Sequence, residues 1–251
     1  MWTVTIPLIL VARGCPDPRV ADVTRAVVQA VAERTGSRVR AAFLEAEVPR
    51  LPAALLKEAG LGHRRAIVVP LLLTDGYHAR IKVAAGIDAM MSSALPLAVR
   101  LSRVIGPVDH VATPNPIRDL MVEALVRRLA GVLTSAPDGV VLAACGSPVS
   151  RSVAAIDALA RALGSAMAVP CRPGYLSMGR PTVAEAVAAL RQRGLGRVAV
   201  ATYLLGTGRR FGQVLAEAAI SRAVAVAPPL ESAPELIEIV LRRAAQAEAA
   251  W

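Results

Sequence analysis

Aromatic side chains are nearly absent: two Phe, two Trp and three Tyr, or 3% of 251 residues. Any core must therefore be packed from Ala, Val, Leu and Ile, which suits buried parallel strands covered by Ala-rich helices. Charge is also thin, at 19% against 55% hydrophobic residues, the opposite of a disordered chain. Long apolar runs are lacking. Ala66–Leu73 and Val198–Leu205 are strand-length, far short of the roughly 20 residues a membrane helix needs. The opening stretch Ile6 to Ala12 has no basic flank, and Arg13 interrupts the small-residue pattern expected before a cleavage point near Cys15. It reads as the first buried strand, and the expected location is the cytoplasm.

Cysteines are few. Cys15, Cys145 and Cys171 form neither a metal-ligand spacing nor an even disulfide set, and are expected as reduced thiols packed in or near the core. Acidic residues fall short of basic ones, 19 against 29, for a net charge of +10. That excess favours an acidic partner such as nucleic acid, anionic lipid or a polycarboxylate ligand; the plain alternative is arginine spread over solvated helix faces. Nucleic-acid binding would rest on charge alone, with no aromatic platform or recognisable module. No phosphate-binding Walker loop, nucleophile elbow or zinc-finger spacing is present. Gly206, Gly208 and Gly212 follow a strand but miss the Gly-x-Gly-x-x-Gly spacing of a dinucleotide site. His63, beside Arg64 and Arg65, is expected on the solvated surface, and His110 in a structural connection.

What the chain does contain is a repeat. At an offset of 132, Gly14 falls on Gly146, Pro16 on Pro148, Arg19 on Arg151, Pro49 on Pro181, Gly62 on Gly194 and Gly76 on Gly208. Phe43-Leu44 lies on Tyr175-Leu176, and the apolar run 66–73 on 198–205. One offset held through strands and loops alike marks a duplication. The expected lobes are 1–133 and 134–251. Each reads as strands alternating with helices, an α/β lobe with a parallel sheet flanked by helices. In the first lobe strands are expected at Ile6–Ala12, Val39–Leu44, Ala66–Leu73 and within Pro96–Ile105. Helices are expected at Asp17–Arg34, from Pro49 as first helical residue to a Gly60 cap, and over Asn115–Leu133. Ligands of such sheets gather at the carboxyl ends of the strands. The informative segments are thus Arg13–Asp17, Leu44–Glu47 and Leu73–Lys82.

Those segments carry a resemblance. The chain reads Leu8-Ile-Leu-Val-Ala-Arg-Gly-Cys-Pro-Asp-Pro18, then Phe43-Leu-Glu45, then Val68-Val-Pro-Leu-Leu-Leu-Thr-Asp-Gly-Tyr-His78. It resembles the class II chelatases of sirohydrochlorin over nearly its whole length, including the tandem arrangement of the longer members. The family pattern is an apolar strand ending in His-Gly-Ser/Thr-x-x-Pro, a strand ending in Phe-Leu/Val-Glu/Asp, and a Val-Val-Pro strand running into Gly-x-His. Two histidines and a carboxylate form the family's metal-handling site. Insertion of a divalent ion removes two pyrrole protons while the ion sheds ligands, and neutral imidazole can both ligate the ion and take a proton.

Carried over by position, His78 matches the second histidine and Glu45 the carboxylate, the expected catalytic and metal-handling pair. Arg13 stands where the first histidine belongs. A guanidinium has no acceptor lone pair and cannot bind a cation or act as a base. Lys82 likewise stands where related sequences commonly carry an acidic residue. The resemblance implies a chelatase inserting Co²⁺ or Fe²⁺, the metal being a substrate and no organic cofactor needed. The polycarboxylate tetrapyrrole would lie between the lobes, its carboxylates held by Arg13, Arg80, Arg209 and Arg210. The alternative is a catalytically degenerate paralogue that binds tetrapyrrole or metal without insertion. In the second lobe Cys145, Ser177 and Arg210 occupy the positions of Arg13, Glu45 and His78, so that lobe is expected to be the degenerate one. An improvised site of Cys15, Cys145 and His78 is a remoter alternative. The expected partners are the anionic tetrapyrrole and the divalent ion, with no membrane and no nucleic acid, and the protein is expected as a monomer or weak dimer.

Overall fold

The computed structural model describes residues 6–91, 96–108 and 114–251; His110 lies outside them. The first strand, β1 (Leu8–Ala12), is buried along its whole length. It has β2 (Val39–Phe43) on one side and β3 (Arg65–Pro70) on the other, with β4 (Ala98–Leu101) beyond β3. All three pairings are parallel. Burial on both faces is why β1 is a continuous aliphatic run rather than an alternating one. The second sheet repeats the order with β5 (Gly139–Gly146) between β6 (Cys171–Met178) and β7 (Val198–Tyr203), then β8 (Ala225–Val226). Parallel neighbours need crossovers, and the helices supply them.

α1 (Pro18–Thr35) starts where the Asp17 carboxylate accepts the Arg19 N–H, and ends at Gly36 in the left-handed conformation. α2 (Leu51–Gly60) does not begin at Pro49. The Val48–Pro49 bond is cis, and Pro52 is the proline of the first turn, where its missing N–H costs nothing. Nor is Gly60 the cap: it is the last helical residue, and the positive φ falls at Gly62. A π-helical turn, His78–Lys82, leads into α3 (Val83–Met91). The core of this unit sets Ile9, Val11 and Val68 of the sheet against Leu51, Leu55 and Val83 of the helices.

α4 (Pro116–Ala130) is capped by the Asn115 side chain, which accepts the Arg118 N–H. α5 (Ser150–Met167), α6 (Val183–Arg191), α7 (Arg209–Ile220) and α8 (Pro234–Glu248) complete the chain. The second core places Val141, Val198 and Val200 against Val187, Leu190 and Val214.

The packing units differ from the expected division after residue 133. One unit is Met1–Gly106 with Leu236–Trp251, the other Pro107–Glu235. The reason lies in the terminal helix of each repeat. α4 packs against α5 and β7, burying Met121, Leu125 and Leu129, so it belongs to the second unit. α8 sends Arg243, itself buried, to the carbonyl oxygens of Val104 and Gly106 at 2.9 and 3.2 Å, and Trp251 lies against Arg65 and Arg100. The repeat runs along the sequence, whereas each packed unit takes its last helix from the other repeat. No helix among the described residues is long and apolar enough to cross a membrane.

Candidate functional site

Three strand ends of the first unit converge here. β1 runs buried to Ala12, and Arg13 is the first exposed residue. Gly14 follows with φ +84°, and a Cβ on it would stand 1.8 Å from the Glu45 carbonyl oxygen. Only glycine tolerates both that conformation and that approach. The ladder continues past the strands: Leu44 N–H donates to the Ala12 carbonyl at 3.0 Å and Glu45 N–H to the Arg13 carbonyl at 2.8 Å. The backbones of Arg13 and Glu45 are therefore fixed to one another. On the other side of β1, Leu71 N–H donates to the Val11 carbonyl, and the chain then turns through Gly76 into the π-helical turn that begins with His78.

The side chains meet. Arg13 Nε lies 3.4 Å from Glu45 Oε2, and His78 Nε2 lies 3.5 Å from Glu45 Oε1. One carboxylate thus faces a guanidinium and an imidazole at once. The three side chains are 60%, 36% and 30% exposed, so the group is open to solvent at Arg13 and more sheltered at His78. Burial pushes the His78 pKa below its ordinary value, and the Arg13 charge pushes the same way. Glu45 opposes both, and Lys82 adds to the lowering. The outcome is a neutral imidazole at neutral pH, with a lone pair available to a proton or an ion.

The surroundings divide the arginines expected to hold carboxylates. Arg80 is already engaged, with Nε and Nη2 on the two Asp75 carboxylate oxygens at 3.3 and 3.1 Å. Asp75 precedes it by five residues across the turn, a signal that was present in the sequence and missed. Lys82 Nζ sits 5.9 Å from the Tyr77 ring centre, and Tyr77 meets His78 edge to face at 5.6 Å. Val48, Tyr77 and Ile81 expose apolar surface from the same loops that carry Glu45 and His78.

The second unit keeps the frame without these donors. Gly146 has φ +80°, and a Cβ there would stand 1.8 Å from the Met178 carbonyl oxygen. Cys145 is exposed, and its carbonyl accepts the Ser177 hydroxyl at 2.6 Å. Arg210 is half-buried, its Nη1 donating to the Leu176 carbonyl at 3.3 Å and the Gln213 side chain at 3.2 Å, whereas Arg209 is exposed at the start of α7. None of the three cysteines is disulfide-bonded. Cys171 is mostly buried, and burial pushes its thiol up to about 12. Cys15 and His78 belong to one unit and Cys145 to the other.

His63 is more than a surface residue. Its Nε2 lies 3.5 Å from Glu58, a carboxylate fully buried against Arg38 and Arg40 at 2.8 and 2.6 Å. That cluster lies where β2 and β3 begin, at the other end of the sheet from His78. Among the described residues no three His, Cys, Asp or Glu side chains are grouped to hold a metal ion, so Glu45 and His78 would act as a pair of donors.

No curated protein matches the chain in sequence. Among solved structures, it is similar to SirB from Bacillus subtilis with Fe³⁺, at TM-score 0.83 and 19% identity over 98% of both chains. It is also similar to the sirohydrochlorin chelatase SirB from Bacillus subtilis subspecies spizizenii in complex with cobalt, at TM-score 0.78 and 19% identity, covering 98% of this chain and 96% of that one. A multi-domain protein from Deinococcus radiodurans with structural similarity to chelatases matches at TM-score 0.68 and 20% identity, over 96% of this chain and 55% of its own. The family model CbiX matches twice, over residues 7–114 and 139–247, in step with the two sheets. The chain belongs to the CbiX family as a tandem pair of its units.

Proposed function

We propose that the protein is a sirohydrochlorin-type chelatase, inserting Co²⁺ or Fe²⁺ into a polycarboxylate tetrapyrrole. The observation that carries this reading is the convergence of Arg13 and His78 on the Glu45 carboxylate, at 3.4 and 3.5 Å. Family membership and the likeness to structures that hold iron and cobalt support it. His78 Nε2, neutral at neutral pH, ligates the incoming ion first; as the ion passes to the macrocycle the freed lone pair takes one pyrrole proton, and the other leaves to water. Glu45 attracts the ion and helps it shed water. Arg13 can do neither; it pairs with a substrate carboxylate. Of the other arginines expected to hold carboxylates, Arg80 already holds Asp75 and Arg210 donates to Leu176 and Gln213, whereas Arg209 is exposed.

A second reading has its own observation. With Arg13 beside Glu45, and no third donor grouped with Glu45 and His78 among the described residues, the protein would bind tetrapyrrole or metal without insertion. One assay separates the two. Purified protein is mixed anaerobically with sirohydrochlorin and either ion, and insertion is followed by absorbance. Insertion above the metal-only background, lost in His78→Ala, is the expected result. No insertion by the wild type, with activity gained in Arg13→His, would establish the binding role instead.

A further inference from the structure

The Arg13 guanidinium rests on the same carboxylate that an incoming ion requires. Glu45 turns one oxygen to Arg13 at 3.4 Å and the other to His78 at 3.5 Å, so the space an ion would share with Glu45 borders a fixed positive charge. A dication and a guanidinium compete for that carboxylate and repel each other. No third protein donor is grouped with the pair among the described residues, so the remaining positions on an ion would be left to water or to the macrocycle nitrogens.

Arg13 is also held loosely. Its contact with Glu45 is a single one at 3.4 Å, whereas Arg80 grips Asp75 through two nitrogens and Arg38 and Arg40 reach Glu58 at 2.8 and 2.6 Å. The Arg13 side chain is 60% exposed, while its backbone is fixed by the Glu45 N–H and by the close approach at Gly14. The guanidinium can therefore leave Glu45 while the loop stays in place. A ligand carboxylate meeting it in two-pronged geometry offers a better contact than the one it would give up.

Building on the chelatase reading, we propose that Arg13 sets the order of addition: a tetrapyrrole carboxylate draws it off Glu45, and only then does the metal enter. Arg13 is in this sense a positioning and specificity residue. It admits macrocycles that carry acidic side chains and keeps a lone ion from settling on Glu45 and His78.

The test is calorimetric titration of Co²⁺ alone into the full-length wild type, Arg13→Leu, and Arg13→Leu combined with Glu45→Gln. Arg13→Leu should bind Co²⁺ on the order of tenfold more tightly than wild type, and Glu45→Gln should abolish that gain. In the insertion assay Arg13→Leu should raise KM for sirohydrochlorin while lowering KM for Co²⁺, a split that a merely structural role would not give. Equal Co²⁺ affinity in wild type and Arg13→Leu overturns the proposal, as does a gain that survives Glu45→Gln. If no variant inserts metal, the chelatase reading falls while the Co²⁺ titrations still decide the role of Arg13.

Discussion

At the scale of single residues, His78 is the most informative reporter. Its pKa lies below the ordinary value chiefly because it is partly buried, with Arg13 adding to the shift and Glu45 opposing it. Arg13→Leu should raise the His78 pKa and Glu45→Gln should lower it further, as read from the ring-proton shifts in an NMR titration. The sign for stability follows from linkage. Between the folded pKa and the unfolded value near 6.5 the unfolded chain binds more protons. His78 therefore contributes stability that is present above about 6.5 and is lost as pH falls through the folded pKa. His78→Gln should flatten that part of the urea-melt profile against pH. Glu58 offers a contrast. It is buried between Arg38 and Arg40, where β2 and β3 begin, at the opposite end of the sheet from the candidate site. Glu58→Gln should cost roughly 1–3 kcal/mol in a denaturant melt, because it leaves two partly exposed cations around a neutral amide, while Co²⁺ affinity stays unchanged.

At the scale of elements, the glycine turns after β1 and β5 provide a matched pair. Each would drive a Cβ to 1.8 Å from a facing carbonyl oxygen. Gly14→Ala and Gly146→Ala should each destabilise by roughly 2–4 kcal/mol, from strain plus displacement of the neighbouring strand end. Only Gly14→Ala should also weaken Co²⁺ binding, since only there does the facing residue, Glu45, carry the carboxylate proposed to ligate the metal. Most elements were legible because the signals agreed: the aliphatic run of β1, the Asp17 cap with Pro18 behind it, and Asn115 before Pro116. Where the reading slipped, two signals competed. Pro49 and Pro52 both resemble a helix start, and Gly60 and Gly62 both resemble a cap. The expected strand at Ala66–Leu73 overran because the apolar run continues after Pro70, where its pairing with β1 stops at Val11. The three residues of the site could be named from the resemblance, but their direct contact could not. Whether Arg13 reaches Glu45 depends on a side-chain direction set by the Gly14 turn.

At the scale of the whole chain, the duplication was readable from one constant offset, and the exchange of terminal helices was not. Periodicity tells which face of a helix is apolar but not which sheet it covers. α4 and α8 are each continuous with their own repeat but packed in the unit built mainly from the other repeat. Removing 236–251 should consequently strip the first unit of Arg243 and Trp251, although the cut lies far along the chain from His78. Urea unfolding of that truncated chain should resolve into two transitions, the earlier one reporting the unit that carries the site. A single transition matching the full chain would contradict this account of the packing.

The buried Arg243 on the carbonyls of Val104 and Gly106 has a consequence for the order in which the molecule is made. A ribosome delivers Pro107–Glu235 as one uninterrupted stretch, so the second unit can finish folding while translation continues. The first unit emerges earlier and must wait, its last helix still unsynthesised, until α8 has been translated. The unit that bears His78 then matures after the second, and a polypeptide stalled before α8 carries the three residues of the candidate site on an unfinished scaffold.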